Sequence, residues 1–227
     1  MNKKLLLFAI ITIALLAWAF RQAMYVAPTE ETMGDIQRIF YYHVPSAFAA
    51  FACFFVNLVA SLAYLKSRNL KADAVALATA EVGVIFCTVV LVTGPLWARP
   101  VWGIWWTWDA RLTSTLVLWL IYVSYLLLRR FSTAGQTPVL AAVLSVFGSV
   151  DVVFVYMSIR WFRTQHPQPV MGPGGGGLDP HMAHALLWNV LAFSCWGTLL
   201  VWMRFKLERR HQQLEEAYAM RSVGGAP

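Results

Sequence analysis

Six apolar runs, separated by short polar or aromatic connections, constrain this chain more than anything else in it. They lie at residues 5–20, 44–65, 74–96, 112–128, 139–159 and 183–203. A helix crosses about 30 Å of hydrocarbon with roughly 17 to 25 residues, so each run is long enough, or nearly so, to span a bilayer. Inside lipid no water can bond the backbone N–H and C=O groups, which leaves helices as the form such runs take. The expected fold is therefore all-α: a polytopic integral membrane protein with six transmembrane helices in a single membrane domain over residues 1–227. Hydrophobic residues make up 59% of the chain and charged residues 13%, which argues against a soluble globular domain.

The net charge of +7 is not gathered into a basic patch for nucleic acid, because the basic residues stand at the ends of the apolar runs. Twelve of the Lys and Arg residues fall on the side of the N-terminus, among them Lys3, Lys4, Lys66, Arg68, Lys71, Arg129, Arg130 and Arg204, against six on the other side. The positive-inside rule then expects both termini in the cytoplasm. Residues 204–227 read as a charged, partly helical cytoplasmic tail. The first run is the shortest; with Lys3 and Lys4 before it and Ala17-Trp18-Ala19 near its end it also suits a cleaved signal peptide, although an uncleaved signal anchor is the preferred reading. Cys53, Cys87 and Cys195 each lie inside an apolar run with no C-x-x-C pair, so they read as small buried hydrophobes.

The outer connections carry the unusual chemistry. Residues 97–111, expected as an outer tryptophan-rich loop, hold Trp97, Trp102, Trp105, Trp106 and Trp108, five of the eleven tryptophans. That is more than an interfacial aromatic belt requires. Trp102, Trp105, Trp106 and Asp109 recur at i, i+3, i+4 and i+7, so one aromatic stripe on a short helix is expected, edged by Arg99, Asp109 and Arg111. Four of the five histidines, His43, His166, His181 and His184, are also on this side. Neutral imidazoles on the two faces of a porphyrin give a six-coordinate iron, and an indole shelf between them would stack on the macrocycle. Each imidazole could equally be a hydrogen-bonded interface residue. His181 and His184 could be rival ligands or a small transition-metal site, whereas His211 belongs to the tail. The 172–177 glycine tract matches no phosphate-binding pattern and reads as a flexible connection. Glu81 and Asp151 lie inside runs, where a charge is costly; they either line a pathway or tie helices together, and no intramembrane base is evident for either.

The string Trp102-Gly103-Ile104-Trp105-Trp106-Thr107-Trp108-Asp109-Ala110-Arg111 closely resembles the tryptophan-rich (WWD) signature of the CcmC/CcsA family, haem-handling membrane proteins of cytochrome c maturation. In that family one histidine lies in a Tyr-x-His-Val-Pro context, matched by Tyr41-Tyr42-His43-Val44-Pro45. A second follows an aromatic pair in the last outer loop, matched by Trp161-Phe162 and then His166. The resemblance implies haem b held by His43 and His166 as axial ligands of the haem iron, with Trp102, Gly103, Trp105, Trp106, Trp108, Asp109 and Arg111 as the contacting platform. It implies a multi-pass protein of the bacterial inner membrane, its haem site facing the periplasm, acting as a carrier and not as an enzyme. The implied partners are a CcmE-like periplasmic haem chaperone, CcmA/CcmB-like ABC transporter subunits, a CcmD-like small membrane subunit and membrane lipid, with no nucleic acid. Two rival readings remain at this point: a transporter for haem or another small solute with Glu81 and Asp151 along its path, and an assembly scaffold that binds no haem.

Overall fold

A computed structural model of the protein describes residues 3–132, 135–166 and 177–224. Six helices account for most of it: α1 (Lys3–Arg21), α2 (Phe40–Ser67), α3 (Leu70–Trp102), α4 (Ala110–Phe131), α5 (Thr137–Trp161) and α6 (Pro180–Gly224). All six include a stretch long and apolar enough to cross a membrane.

Two features of composition let these helices pack. Where no hydrophobic force separates protein from lipid, close approach and interhelical hydrogen bonds hold helices together. Small residues provide the approach: Ala74, Ala76, Ala78 and Ala80 are buried on α3, and Ala49 and Ala50 on α2. Gly83 lies so near Phe54 that a β-carbon there would sit 2.6 Å from its ring. Phe54 in turn stacks on Tyr122 of α4, the ring centroids 4.0 Å apart. Buried polar residues provide the bonds. Asn57 on α2 donates to the carbonyl of Ala76 on α3 and accepts from Tyr122 on α4 and Ser145 on α5, so one amide joins four helices. Asn189 on α6 donates to the carbonyl of Ala19 at 3.1 Å and so fastens α1.

The helices alternate in direction. Phe8 packs near Trp202 and Trp18 near Trp188, so α1 and α6 run antiparallel. At the end of the bundle that carries both termini, Asp73 and Arg129 form a buried bidentate pair, and Gln212 of α6 donates to Asp73. The opposite, distal end gathers the α1–α2, α3–α4 and α5–α6 connections. Away from these ends the outer surface is apolar, with Ile13 on α1, Phe55 on α2 and Phe147 and Val150 on α5 all exposed, as lipid contact requires.

Two boundaries differ most from those expected. α3 passes through Pro95 and Pro100 and ends only at Gly103, whose φ of 77° takes the left-handed conformation that closes a helix. Residues 97–102 therefore belong to a helix instead of a loop. α6 does not stop near residue 203: its 45 residues extend to about 68 Å at 1.5 Å per residue, more than twice the hydrocarbon thickness. The tail expected to be partly helical is its unbroken continuation as far as Gly224.

Candidate functional site at the distal end

Each histidine is best understood from the element that holds it. The approach to α2 is a single 3-10 turn, Asp35–Ile39, fixed by Arg38. That guanidinium donates to the carbonyls of Ala23 and Ala27, to Thr29 Oγ1 and to Asp35, which clamps the end of α1 onto the start of α2. His43 follows in the first turn of α2 and is buried. Its ring does not stand free at a helix end. Nδ1 lies 2.8 Å from Thr93 Oγ1 of α3, and the ring meets Trp97 edge to face at a centroid distance of 6.0 Å. Pro45 falls in the second turn of α2, not in the first as the sequence suggested, because the helix already begins at Phe40.

The tryptophan segment forms no short helix. After Gly103 the chain is non-helical through residue 109, and α4 restarts at Ala110 because Asp109 caps it, Oδ1 accepting from the N–H of Leu112 at 2.8 Å. The i, i+3, i+4, i+7 stripe is thus lost, since Trp102 closes one helix while Trp105, Trp106 and Trp108 lie in a non-helical link. Trp106 and Trp108 pack edge to face at 5.7 Å. Trp105 is 56% exposed and Trp108 76%, so two indoles face outward. Arg99 bonds the carbonyl of Gly103 and holds the turn.

The second histidine is brought in by Asp109. Its Oδ2 accepts from the backbone N–H of Gln165 at 3.1 Å, while the N–H of His166 donates to Thr164 Oγ1. One carboxylate thereby restarts α4 and fastens the segment that carries His166. Arg111, in the first turn of α4, donates to the Val155 carbonyl of α5. His43 lies within electrostatic reach of both His166 and Arg111. The structure thus brings His43, His166, Asp109 and Arg111 together at one end, with Trp97 against the His43 ring.

His181 and His184 do not join them through their helix face. Asp179 accepts from the N–H groups of His181 and Met182 and caps α6, with Pro180 in its first turn. Met182, Ala185 and Leu186 then turn inward against Phe40 and Tyr41, while both histidines are exposed. Among the described residues no group of three or more metal-ligating side chains could hold a bare ion. The glycine tract 172–177 lies outside the described residues except for Gly177.

Sequence reasoning missed Thr93 and Arg204. Thr93 had one local signal, a Thr-Gly-Pro triplet at the end of an apolar run. Arg204 had none, yet it pairs with Glu81 across α3 and α6 and also with Glu208. Glu81 therefore does have a base, contrary to expectation, and it ties helices together. Asp151 keeps one buried carboxylate oxygen without a partner among the described residues.

The donor set suits a large planar ligand with a polar edge. Among the described residues, Trp97 Nε1, Trp106 Nε1, Tyr42 Oη and Thr113 Oγ1 are buried at this end without hydrogen-bond partners. Buried polar atoms are normally satisfied, so such a group of orphans beside exposed indoles fits a ligand with oxygen acceptors and an aromatic face.

Comparison with known proteins gives the family. Residues 1–220 match the family described as "Heme exporter protein C". The chain is 37% identical over 185 residues to a heme exporter protein C of Bradyrhizobium diazoefficiens, covering 81% of this chain and 70% of that protein. It is 32% identical over 196 residues to the heme exporter protein C of Escherichia coli K12, covering 84% and 79% respectively. A putative cytochrome c biosynthesis ccmC-like mitochondrial protein of Marchantia polymorpha is 32% identical over 152 residues, covering 67% of this chain and 64% of that protein. Six membrane-length helices, the tryptophan segment and the match over almost the whole length lead to one conclusion: this chain belongs to the heme exporter protein C family.

Proposed function

We propose that this multi-pass membrane protein handles haem for cytochrome c maturation, holding one haem at the distal end between His43 and His166 and passing it to a CcmE-like haem chaperone. The observation that carries this reading is the convergence of two imidazoles from remote segments, beside a link that exposes Trp105 and Trp108 and is tied to the His166 segment by Asp109. Haem is the cargo, and its iron supplies the two axial positions that neutral imidazoles fill. The chain's own residues bind and orient it. His43 offers its ring from a buried, immobilised position, His166 does so from a connection, and the exposed indoles of the link supply a stacking surface. Trp102 and Gly103 shape the turn into that link. Arg111 contributes positive charge near the ring edge, where it favours propionate.

A carrier must release what it holds, and a site built on connections at the bundle end, open through exposed indoles, suits transfer. The excess of Lys and Arg around the opposite end supports, by the positive-inside rule, an inner-membrane protein with that end in the cytoplasm and the haem site facing the periplasm. Transfer and release would then involve CcmA/CcmB-like transporter subunits and a CcmD-like small subunit.

The test is purification from haem-replete cells followed by an absorption spectrum of the wild type, His43→Ala and His166→Ala. The expected result is a Soret band that weakens in each variant and partly returns with added imidazole. Unchanged spectra in both variants would overturn the ligand assignment, and a colourless wild type would favour a scaffold.

A further inference from the structure

The side chain that decides what His43 can do belongs to α3. Thr93 Oγ1 stands 2.8 Å from His43 Nδ1, and it also lies 2.6 Å from the Val89 carbonyl four residues back on its own helix. A hydroxyl has one proton and two lone pairs. A carbonyl can only accept, so the Thr93 proton points to Val89, and the next nearest acceptor, the Val90 carbonyl at 3.5 Å, is on the same helix. What Thr93 then offers His43 is a lone pair. Nδ1 must carry the proton, and the free lone pair of the neutral ring sits on Nε2.

The same stretch of α3 fixes the ring in space. Gly94 leaves its Cε1 edge uncovered, since a β-carbon there would already be in contact at 3.5 Å. Trp97, one turn beyond Thr93, lies against the ring at an interplanar angle of 69°. Among the described residues Thr93 is the one hydrogen-bond partner of the His43 side chain.

We infer that Thr93 is the positioning residue of His43: it holds the imidazole in the Nδ1–H tautomer and aims the Nε2 lone pair at the ligand. This rests on the reading of His43 as an axial ligand. A ring N–H donated to a fixed oxygen makes the opposite nitrogen a stronger donor, and removing such an outer partner weakens metal affinity by about 10- to 100-fold. Thr93 does not itself touch the iron.

The experiment uses the full-length protein in detergent micelles, with Thr93→Val, Thr93→Ser and His43→Ala beside the wild type. Nitrogen NMR of the histidine-labelled, haem-free protein at mildly alkaline pH reads the tautomer directly, and a haemin titration reads affinity. The expected result is an Nδ1–H ring in the wild type and in Thr93→Ser. In Thr93→Val that preference is lost and haemin binds about 10-fold or more weakly, with binding restored in Thr93→Ser. An Nε2–H ring in the wild type overturns the inference, even if Thr93→Val does not fold. If His43→Ala weakens haemin binding while Thr93→Val changes neither tautomer nor affinity, the positioning role fails and the ligand assignment stands. If His43→Ala binds haemin as the wild type does, the ligand assignment fails.

Discussion

The Asp109 carboxylate accepts a hydrogen bond from the backbone N–H of Gln165 at 3.1 Å, so the residue that starts α4 also holds the connection preceding α6. Because the same side chain caps α4 through Leu112, one substitution breaks two attachments. Asp109→Ala should lower stability by about 1 kcal/mol through the lost cap. Its effect on haemin affinity should be larger than that loss explains, because the His166 segment is released as well. Asp109→Asn keeps only one acceptor oxygen, so it should retain the α4 cap and most of the stability while losing the tie to Gln165 and, with it, haemin affinity. Thermal unfolding in detergent alongside haemin titration checks this; equal effects on stability and affinity would reduce Asp109 to a cap alone.

Arg204 pairs with Glu81 in a partly buried position. Removing one partner leaves the other charge poorly solvated, so Arg204→Met should cost about 1–3 kcal/mol, below the range for fully buried pairs because both side chains keep some exposure. The double variant with Glu81→Gln should recover much of the loss. Haemin binding should survive in the double variant, as measured by titration, because Glu81 lies about three helical turns along α3 from Thr93, away from the distal end. Loss of haem handling with intact folding would instead revive a transport path through Glu81.

Gly83 admits the Phe54 ring, which stacks on Tyr122. Gly83→Ala should force that ring aside at a cost of about 1–3 kcal/mol, as overpacking of a close-packed interior does. Gly34 has open space around its β-position but a φ of 59°, so a substitution there is strained by backbone alone. Comparing unfolding midpoints of Gly83→Ala and Gly34→Ala separates the two causes. A Gly83→Ala protein as stable as wild type would show that α2 and α3 can part.

Much of the architecture was legible because lipid imposes length and apolarity on each span, and both are visible in one dimension. The helix ends were less so. Pro95 and Pro100 look like breakers, yet α3 continues through them, and the actual stop is the left-handed Gly103. The helical spacing of Trp102, Trp105, Trp106 and Asp109 was misleading, since periodicity has no meaning across a left-handed residue and a fresh N-cap. Of the site, His43, His166 and the tryptophans were nameable from residue type and resemblance. What could not be read was pairing over long separations: Thr93 with His43, Asp109 with Gln165 and Arg204 with Glu81 become neighbours only once the helices pack.

The most direct measurement is low-temperature electron paramagnetic resonance of the haemin-loaded protein with each of His43→Ala, His166→Ala and the double variant. Two imidazoles on one iron give a six-coordinate, low-spin centre in the wild type. Each single substitution should shift the signal to high spin, and added imidazole should return it. A low-spin signal that persists unchanged in both single variants would contradict a porphyrin held between His43 and His166.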